Sequence, residues 1–425
     1  MLKFFLYVMF FCAGAMAQGH WEVVTHAGNR QLSRMSFVDA QTGWAVGFGG
    51  TIFKTSDGGF TWENQSQELS ENIEDVFMLD ADTGYAVAPV FNQEDGTRIF
   101  KTTDGGQNWE STLYPGRYFF TAHFFDANSG WIAGLQGAFA KTTDGGQTWR
   151  EVFPDTAIGS FFPIRNINFY SRQLGVAVGG QYDRFGVVWQ TVDGGESWQA
   201  HTITSEPFFD VSFIDSLNFL VVGGDLEWGA SRAFTTDGGE TWEVDSLRIY
   251  GVARAIAFRT AQEVWAPLAI SEGYMVSTDR GLSWTDGDMP ENSVVLDMMF
   301  FDSTSGIGVG EEGVVVRYVH DPVAIEPEPD IPAQDFFLAG NFPNPFNPQT
   351  QIRFHLGSPG QVKLTVYNIA GEVVRRQEGD FGNAGWHAIA FDGAAVASGI
   401  YLYRVEFVRQ SAPALLQTGK MVLLK

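Results

Sequence analysis

Six aspartates recur in one chemical setting along this chain. Asp57, Asp104, Asp144, Asp193, Asp237 and Asp279 each lie two residues after a Ser or Thr and four before another Ser, Thr or, once, Asn108; a tryptophan follows at once. Carboxylates in such numbers raise two possibilities, a ligand site repeated around a rim or a carbohydrate hydrolase, which needs two carboxylates across one cleft. The other reading is structural. In a tight turn an Asp carboxylate accepts hydrogen bonds from backbone N–H groups. The second of the two residues after each Asp is always glycine (Gly59, Gly106, Gly146, Gly195, Gly239, Gly281), as a left-handed backbone position requires, whereas the first admits Arg280. The structural role is the one expected for all six aspartates. Other chemistry is poorly represented. The seven histidines show no His-x-His or His-x-x-x-His spacing, and neither Asp-x-Asp-x-Asp-Gly nor Gly-x-Ser-x-Gly occurs, so no metal, cofactor or catalytic residue is expected.

The elements that must position these aspartates repeat with them. The six tryptophans (Trp62, Trp109, Trp149, Trp198, Trp242, Trp284) are spaced 40 to 49 residues apart. Before each lie three short apolar runs separated by Gly, Asp and Asn, such as Phe37-Val38-Asp39, Gly43-Trp44-Ala45-Val46-Gly47 and Thr51-Ile52-Phe53-Lys54. A fourth strand is expected from the tryptophan onward. Four short strands in 40–50 residues are one blade of a propeller. A seventh copy of the first three runs, around Phe300, Gly306–Gly310 and Val314–Val316, lacks the aspartate and the tryptophan. His20-Trp21-Glu22-Val23-Val24 supplies the missing fourth strand from the other terminus. The fold class is therefore all-β, with a seven-bladed β-propeller over residues 18–320 whose N-terminal strand closes the last blade and removes a free edge.

The pattern resembles the Asp box of bacterial neuraminidase repeats. Sialidases share it, but the Arg-Ile-Pro stretch they carry is absent; Phe162-Pro163-Ile164-Arg165 has another order and place. The propeller is more similar to the seven-bladed family of photosystem II assembly and stability factors. That resemblance implies protein binding rather than chemistry, and an arginine-rich face. Arg165 and Arg254 stand four residues before the aromatics of their first strands, Phe169 and Phe258, and Arg34 stands three before Phe37. First strands line the channel, so these cations are expected at one mouth of it, with Glu74 at the matching place in the second blade as a partner. The competing reading is a set of ordinary salt-bridged loop arginines.

The formal net charge is −24, yet residues 335–425 carry eight Lys/Arg against six Asp/Glu, so the acidity belongs to the propeller and linker. An acidic body repels phosphate backbones, and no nucleic-acid partner is expected. Residues 1–17 read as a signal peptide: Lys3, an apolar run too short to span a bilayer, and Ala15-Met16-Ala17 as the cleavage site. Cys12 is the sole cysteine and falls within it. The mature chain is expected to be a monomer without disulfides or a transmembrane helix. Residues 321–334 form an acidic linker with four prolines. In residues 335–425, strands are expected at Gln351–Leu356, Val362–Tyr367, Gly385–Phe391 and Ile400–Phe407, with a turn at Asn368–Gly371 between two of them.

Asn341-Phe342-Pro343-Asn344-Pro345-Phe346-Asn347-Pro348, Tyr367-Asn368-Ile369-Ala370-Gly371, Ala397-Ser398-Gly399-Ile400-Tyr401 and the terminal Lys420-Met421-Val422-Leu423-Leu424-Lys425 closely resemble the type A C-terminal sorting domain of the bacterial type IX secretion system. This implies an immunoglobulin-like β-sandwich, binding to that machinery through residues 335–425, and a secreted or cell-surface location. The function expected is a non-enzymatic binding or scaffold propeller with a protein or glycan ligand; the alternative is an extracellular glycoside hydrolase, sialidase-like or otherwise glycan-cleaving.

Overall fold

A computed structural model describes residues 19–66, 70–155, 161–320, 336–342, 344, 346, 348–409 and 414–423. The signal-peptide and linker expectations lie outside these. The chain divides into two compact units, Met1–Pro322 and Val323–Lys425.

The first unit contains seven antiparallel sheets. In blade 1 the strands Leu32–Phe37, Gly43–Gly47, Ile52–Thr55 and Glu63–Asn64 pair in sequence order. The fourth strands begin one residue after each box tryptophan, because the indole turns away from the sheet into the core. In the last blade Gly19–His26 pairs with Val314–His320, so the first strand in sequence is the outermost strand of the seventh blade. Trp21 is 5% exposed and packs edge-on against Trp265 of blade 6 at 6.1 Å. Each box tryptophan does the same for its own junction. Trp198, for example, lies among Trp131 and Phe139 of blade 3 and Phe169 and Trp189 of blade 4. The cores thus lie between blades, and a broad ring fills each wedge.

The box geometry follows the residue types. Asp57 Oδ1 accepts from Thr55 Oγ1 and from the Thr61 amide, while Oδ2 accepts from Thr61 Oγ1 at 2.6 Å. The Thr148 hydroxyl and amide, aided by the Thr142 hydroxyl, hold the Asp144 carboxyl down to about 2. Both glycine positions are left-handed: Gly58 has φ +76°, Gly59 +95°, and Arg280 accepts +68°. At five of the six second positions a lack of space reinforces the demand for glycine. A Cβ on Gly59 would meet Ile307 Cδ1 at 2.3 Å, and one on Gly195 would meet Trp131 at 2.2 Å, each on the preceding blade. The first glycine's carbonyl is used as well. Lys54 Nζ donates to Gly105 O, Lys101 to Gly145 O and Lys141 to Gly194 O, each from one blade to the next.

Both oxygens of each box carboxylate accept hydrogen bonds from within the turn. Asp57→Ala should therefore cost about 1–2 kcal/mol in urea denaturation and leave ligand binding unchanged. Because the folded Asp57 and Asp144 carboxyls sit near 2, below their unfolded value, this stabilisation is complete above about pH 4 and fades as pH falls toward 2.

The second unit has two sheets. Phe336–Phe342, Gln349–Leu356 and Gly385–Asp392 form one; Val373–Phe381, Gly360–Tyr367, Gly399–Val408 and Leu415–Leu423 form the other, in that spatial order. Strict alternation places Ile352, Phe354, Leu364, Tyr403, Phe407 and Met421 in a shared core. Three strands went unread in the sequence: Phe336–Phe342, Leu415–Leu423 and the polar Val373–Phe381. Asn368–Gly371 accordingly turns between Tyr367 and Val373, not into the strand at Gly385.

Candidate functional site

The first strands of the blades share a defect with a use. In five of them the pairing register slips by one, leaving Ser33, Phe120, Arg165, Phe209 or Leu296 as the extra residue. In blade 2 Glu74 occupies this place, its amide donating to Val87 O opposite Asp75. A bulge lets two successive side chains face the same side. The channel is therefore lined in two tiers. The outer tier holds Glu74, Phe120, Arg165, Phe209 and Arg254; the next one inward holds Arg34, Asp75, Thr121, Asp210 and Asp297. Both tiers lie near the start of the first strands, on the face bearing the second-to-third strand loops. The Asp boxes, between third and fourth strands, open on the opposite face.

The structure brings all four channel residues read from the sequence together, in two different roles. Arg34 is the deeper group. Its Nη1 approaches Asp297 Oδ1 at 3.9 Å and donates to Arg254 O, and Nη2 donates to Phe209 O. Burial works against its charge, but Asp297, Asp210, Asp75 and Glu74 outweigh it and raise its pKa. Those aspartates also bind the ring together. Asp75 Oδ2 accepts from Thr121 Oγ1 and the Ala122 amide, Asp210 Oδ2 from the Ile256 amide, and Asp297 Oδ2 from the Met35 amide. Each bond runs to the next blade. Burial pushes Asp210 up to about 7, with Arg34 opposing and Asp297 adding to the rise; Asp75 and Asp297 shift upward for the same first reason.

Arg165 and Arg254 stand at the mouth in another state. Arg165 lies over the Phe120 ring at 5.3 Å and Arg254 over Phe209 at 4.7 Å. Arg165 Nε is buried without a hydrogen-bond partner. Among the described residues neither guanidinium makes a salt bridge. Burial lowers the pKa of both, and Arg254 is further lowered by Arg34. Glu74 faces all three arginines; burial raises its pKa, which the arginines moderate without reversing. Tyr182 faces Arg165 and Arg254 and is 45% exposed. Two desolvated cations on aromatic platforms, beside one carboxylate, favour an incoming anion.

Sequence reasoning missed Asp75, Asp210 and Asp297, although a signal existed. Each stands three residues before its anchor (Met78, Phe213, Phe300), as Arg34 does before Phe37. Another acidic group, Asp183, Glu206 and Asp225, converges on the same face with carboxylate oxygens within 4.8 Å. It knits loops: the Asp183 amide donates to Glu206, and Asp225 accepts from the Glu227 and Trp228 amides.

Fold and site define an Asp-box propeller with a charged, aromatic-flanked channel mouth and a separate C-terminal β-sandwich. Residues 13–117 and 68–202 match the family described as photosynthesis system II assembly factor YCF48, and residues 341–413 match the secretion system C-terminal sorting domain. The propeller thus resembles the YCF48 family, and the tail is a sorting domain. The photosystem II assembly protein Ycf48 of Thermosynechococcus vestitus (strain BP-1) is 28% identical over 317 residues, covering 73% of this chain and 88% of that protein. A solved structure of YCF48 bound to D1 peptide aligns with a TM-score of 0.57 at 26% identity, covering 70% of this chain and 96% of that one. A GH74 xyloglucanase from Xanthomonas campestris aligns at 0.55 with 13% identity, covering 79% of this chain and 59% of that one, a likeness of fold alone.

Proposed function

We propose that this is an exported, non-enzymatic binding propeller whose channel mouth holds a carboxylate-bearing segment of a partner polypeptide. The observation that carries this reading is the pair Arg165 and Arg254, desolvated, stacked on Phe120 and Phe209, and without salt bridges among the described residues. A resembling propeller is described as bound to a peptide, which supports a polypeptide over a glycan. Arg34 and its three aspartates hold the ring that presents the mouth. Incubation with xyloglucan or sialylated glycans should release no sugar; steady turnover would favour the hydrolase reading instead.

Residues 335–425 act in this reading as the export tag, taking the chain across the outer membrane to the surface or the medium. The propeller cores lie wholly between blades and the tail has a core of its own, so each unit should fold without the other. Deleting the chain from Asp335 onward is expected to leave a propeller with normal melting behaviour retained in the periplasm. Protease shaving of intact cells checks this, and a surface-displayed truncated chain would refute the tag.

A further inference from the structure

Three of the four motifs that mark the sorting domain are far apart in sequence, and pairing brings them to one end of one sheet. Tyr367 pairs with both Val373 and Leu402, Leu402 with Lys420, and Ile400 with Val422. The side chains of these strands alternate. Val366, Tyr401, Tyr403 and Met421 enter the core, and their neighbours face outward. On an ordinary solvated face those outward positions would be polar. Here Ile400 is 46% exposed, Leu402 49%, Val373 43%, and Ile369 on the adjoining turn 80%. None of these four is needed by the core, so together they form an apolar patch with no use inside the domain.

Basic side chains stand around the patch. Lys420 pairs with Leu402 at the patch, and Arg376 and Arg404 both pair with Thr365 one row away. The nearby acids are engaged: Glu372 accepts from Asn368, and Glu406 meets Arg404 at 3.6 Å. The neighbouring strand edge is closed to a visitor. Asn344 donates to Lys420 O and accepts from the Val422 amide, and the Phe346 amide donates to Val422 O. The opening motif of the domain thus latches its last strand. Strand addition at Lys420–Val422 is therefore blocked, and a partner that meets this side of the domain meets the face. A symmetric second copy would set Lys420, Arg376 and Arg404 against themselves, which disfavours a dimer.

We propose that this patch, formed by Tyr367, Ile369, Val373, Ile400, Leu402 and Val422, is the surface by which the sorting domain docks on the secretion machinery, against an apolar surface rimmed with acidic residues. The inference rests on the tail serving as an export tag. The test uses the full-length chain in the producing cell. Ile400→Ser with Leu402→Ser, and separately Lys420→Glu, should each lower the surface and medium fraction at least ten-fold, with periplasmic accumulation and unchanged melting. Leu416→Ser, 50% exposed at the far end of the same face, should export normally.

Wild-type export of the folded Ile400→Ser, Leu402→Ser chain overturns the proposal. If that chain does not fold, Ile369→Ser, on an exposed turn, decides by the same readout. A photo-crosslinker at position 369 that joins only a second copy of the chain, or the chain to itself, also overturns it. Truncation before Asp335 separates the two failures. An exported truncated chain sinks the tag itself, whereas a retained one beside exported patch variants sinks only the docking face.

Discussion

Replacing Arg34 with methionine should destabilise the propeller by about 3–5 kcal/mol at pH 8 and by much less at pH 5. Methionine fills similar space, so the loss is of the charge and of the hydrogen bonds to Arg254 O and Phe209 O. Asp297, Asp210 and Asp75 then remain together in the channel without their cation. Their folded pKa values are already raised above the unfolded value near 4, Asp210 to about 7. For an acid shifted upward, the folded state holds more protons than the unfolded one between those values, so stability falls as pH rises through that window. Removing Arg34 raises the folded values further and steepens the fall. Urea denaturation of both proteins at the two pH values measures this directly. A deficit that is the same at pH 5 and pH 8 would mean that Arg34 acts through packing and its backbone hydrogen bonds alone.

Trp21→Ala should cost about 3–5 kcal/mol, as for other large-to-small changes at buried aromatics. The indole lies against Trp265, Phe300 and Tyr318, at the junction of the sixth and seventh blades. Trp21→Phe should be mild by comparison, because the indole Nε1 has no hydrogen-bond partner to lose. Removing residues 18–25 takes away most of the strand that pairs with Val314–His320. That leaves an apolar edge and an open ring, and the protein should aggregate. Thermal melts with light scattering distinguish these outcomes; a deletion variant that melts like the parent would contradict closure by this strand.

The fold was legible because each blade writes its own punctuation. Thr55 and Asp57 begin the turn, Gly59 gives way to a neighbouring side chain, and Trp62 fills the wedge, so six copies and their spacing reveal the sheet order. The closing strand was legible for the same reason, since His20–Val24 carries the sequence that follows a box. The site was half legible. Arg165 and Arg254 could be placed by counting back from an aromatic, but the bulge that turns Glu74 and Asp75 both inward leaves no mark in residue type. Arg34 was grouped with the mouth, while its offset of three sets it one tier deeper beside Asp210 and Asp297. The tail was harder for a different reason. Val373–Phe381 is an edge strand with mostly exposed positions, and a strand that buries little shows little alternation.

The account turns on the mouth being a binding site for carboxylate-bearing polypeptide. The direct measurement selects peptides with free C-termini from a displayed library on the mature chain. Their affinities are then measured by fluorescence anisotropy for the parent and for an Arg165→Ala, Arg254→Ala variant. Each charged hydrogen bond lost is worth about 1.5–3 kcal/mol and the variant loses two, so the account predicts acidic or C-terminal carboxylate peptides that bind it about a hundred- to ten-thousand-fold more weakly and weaken with added salt. Selected peptides that bind parent and variant alike, with no salt dependence, would contradict it.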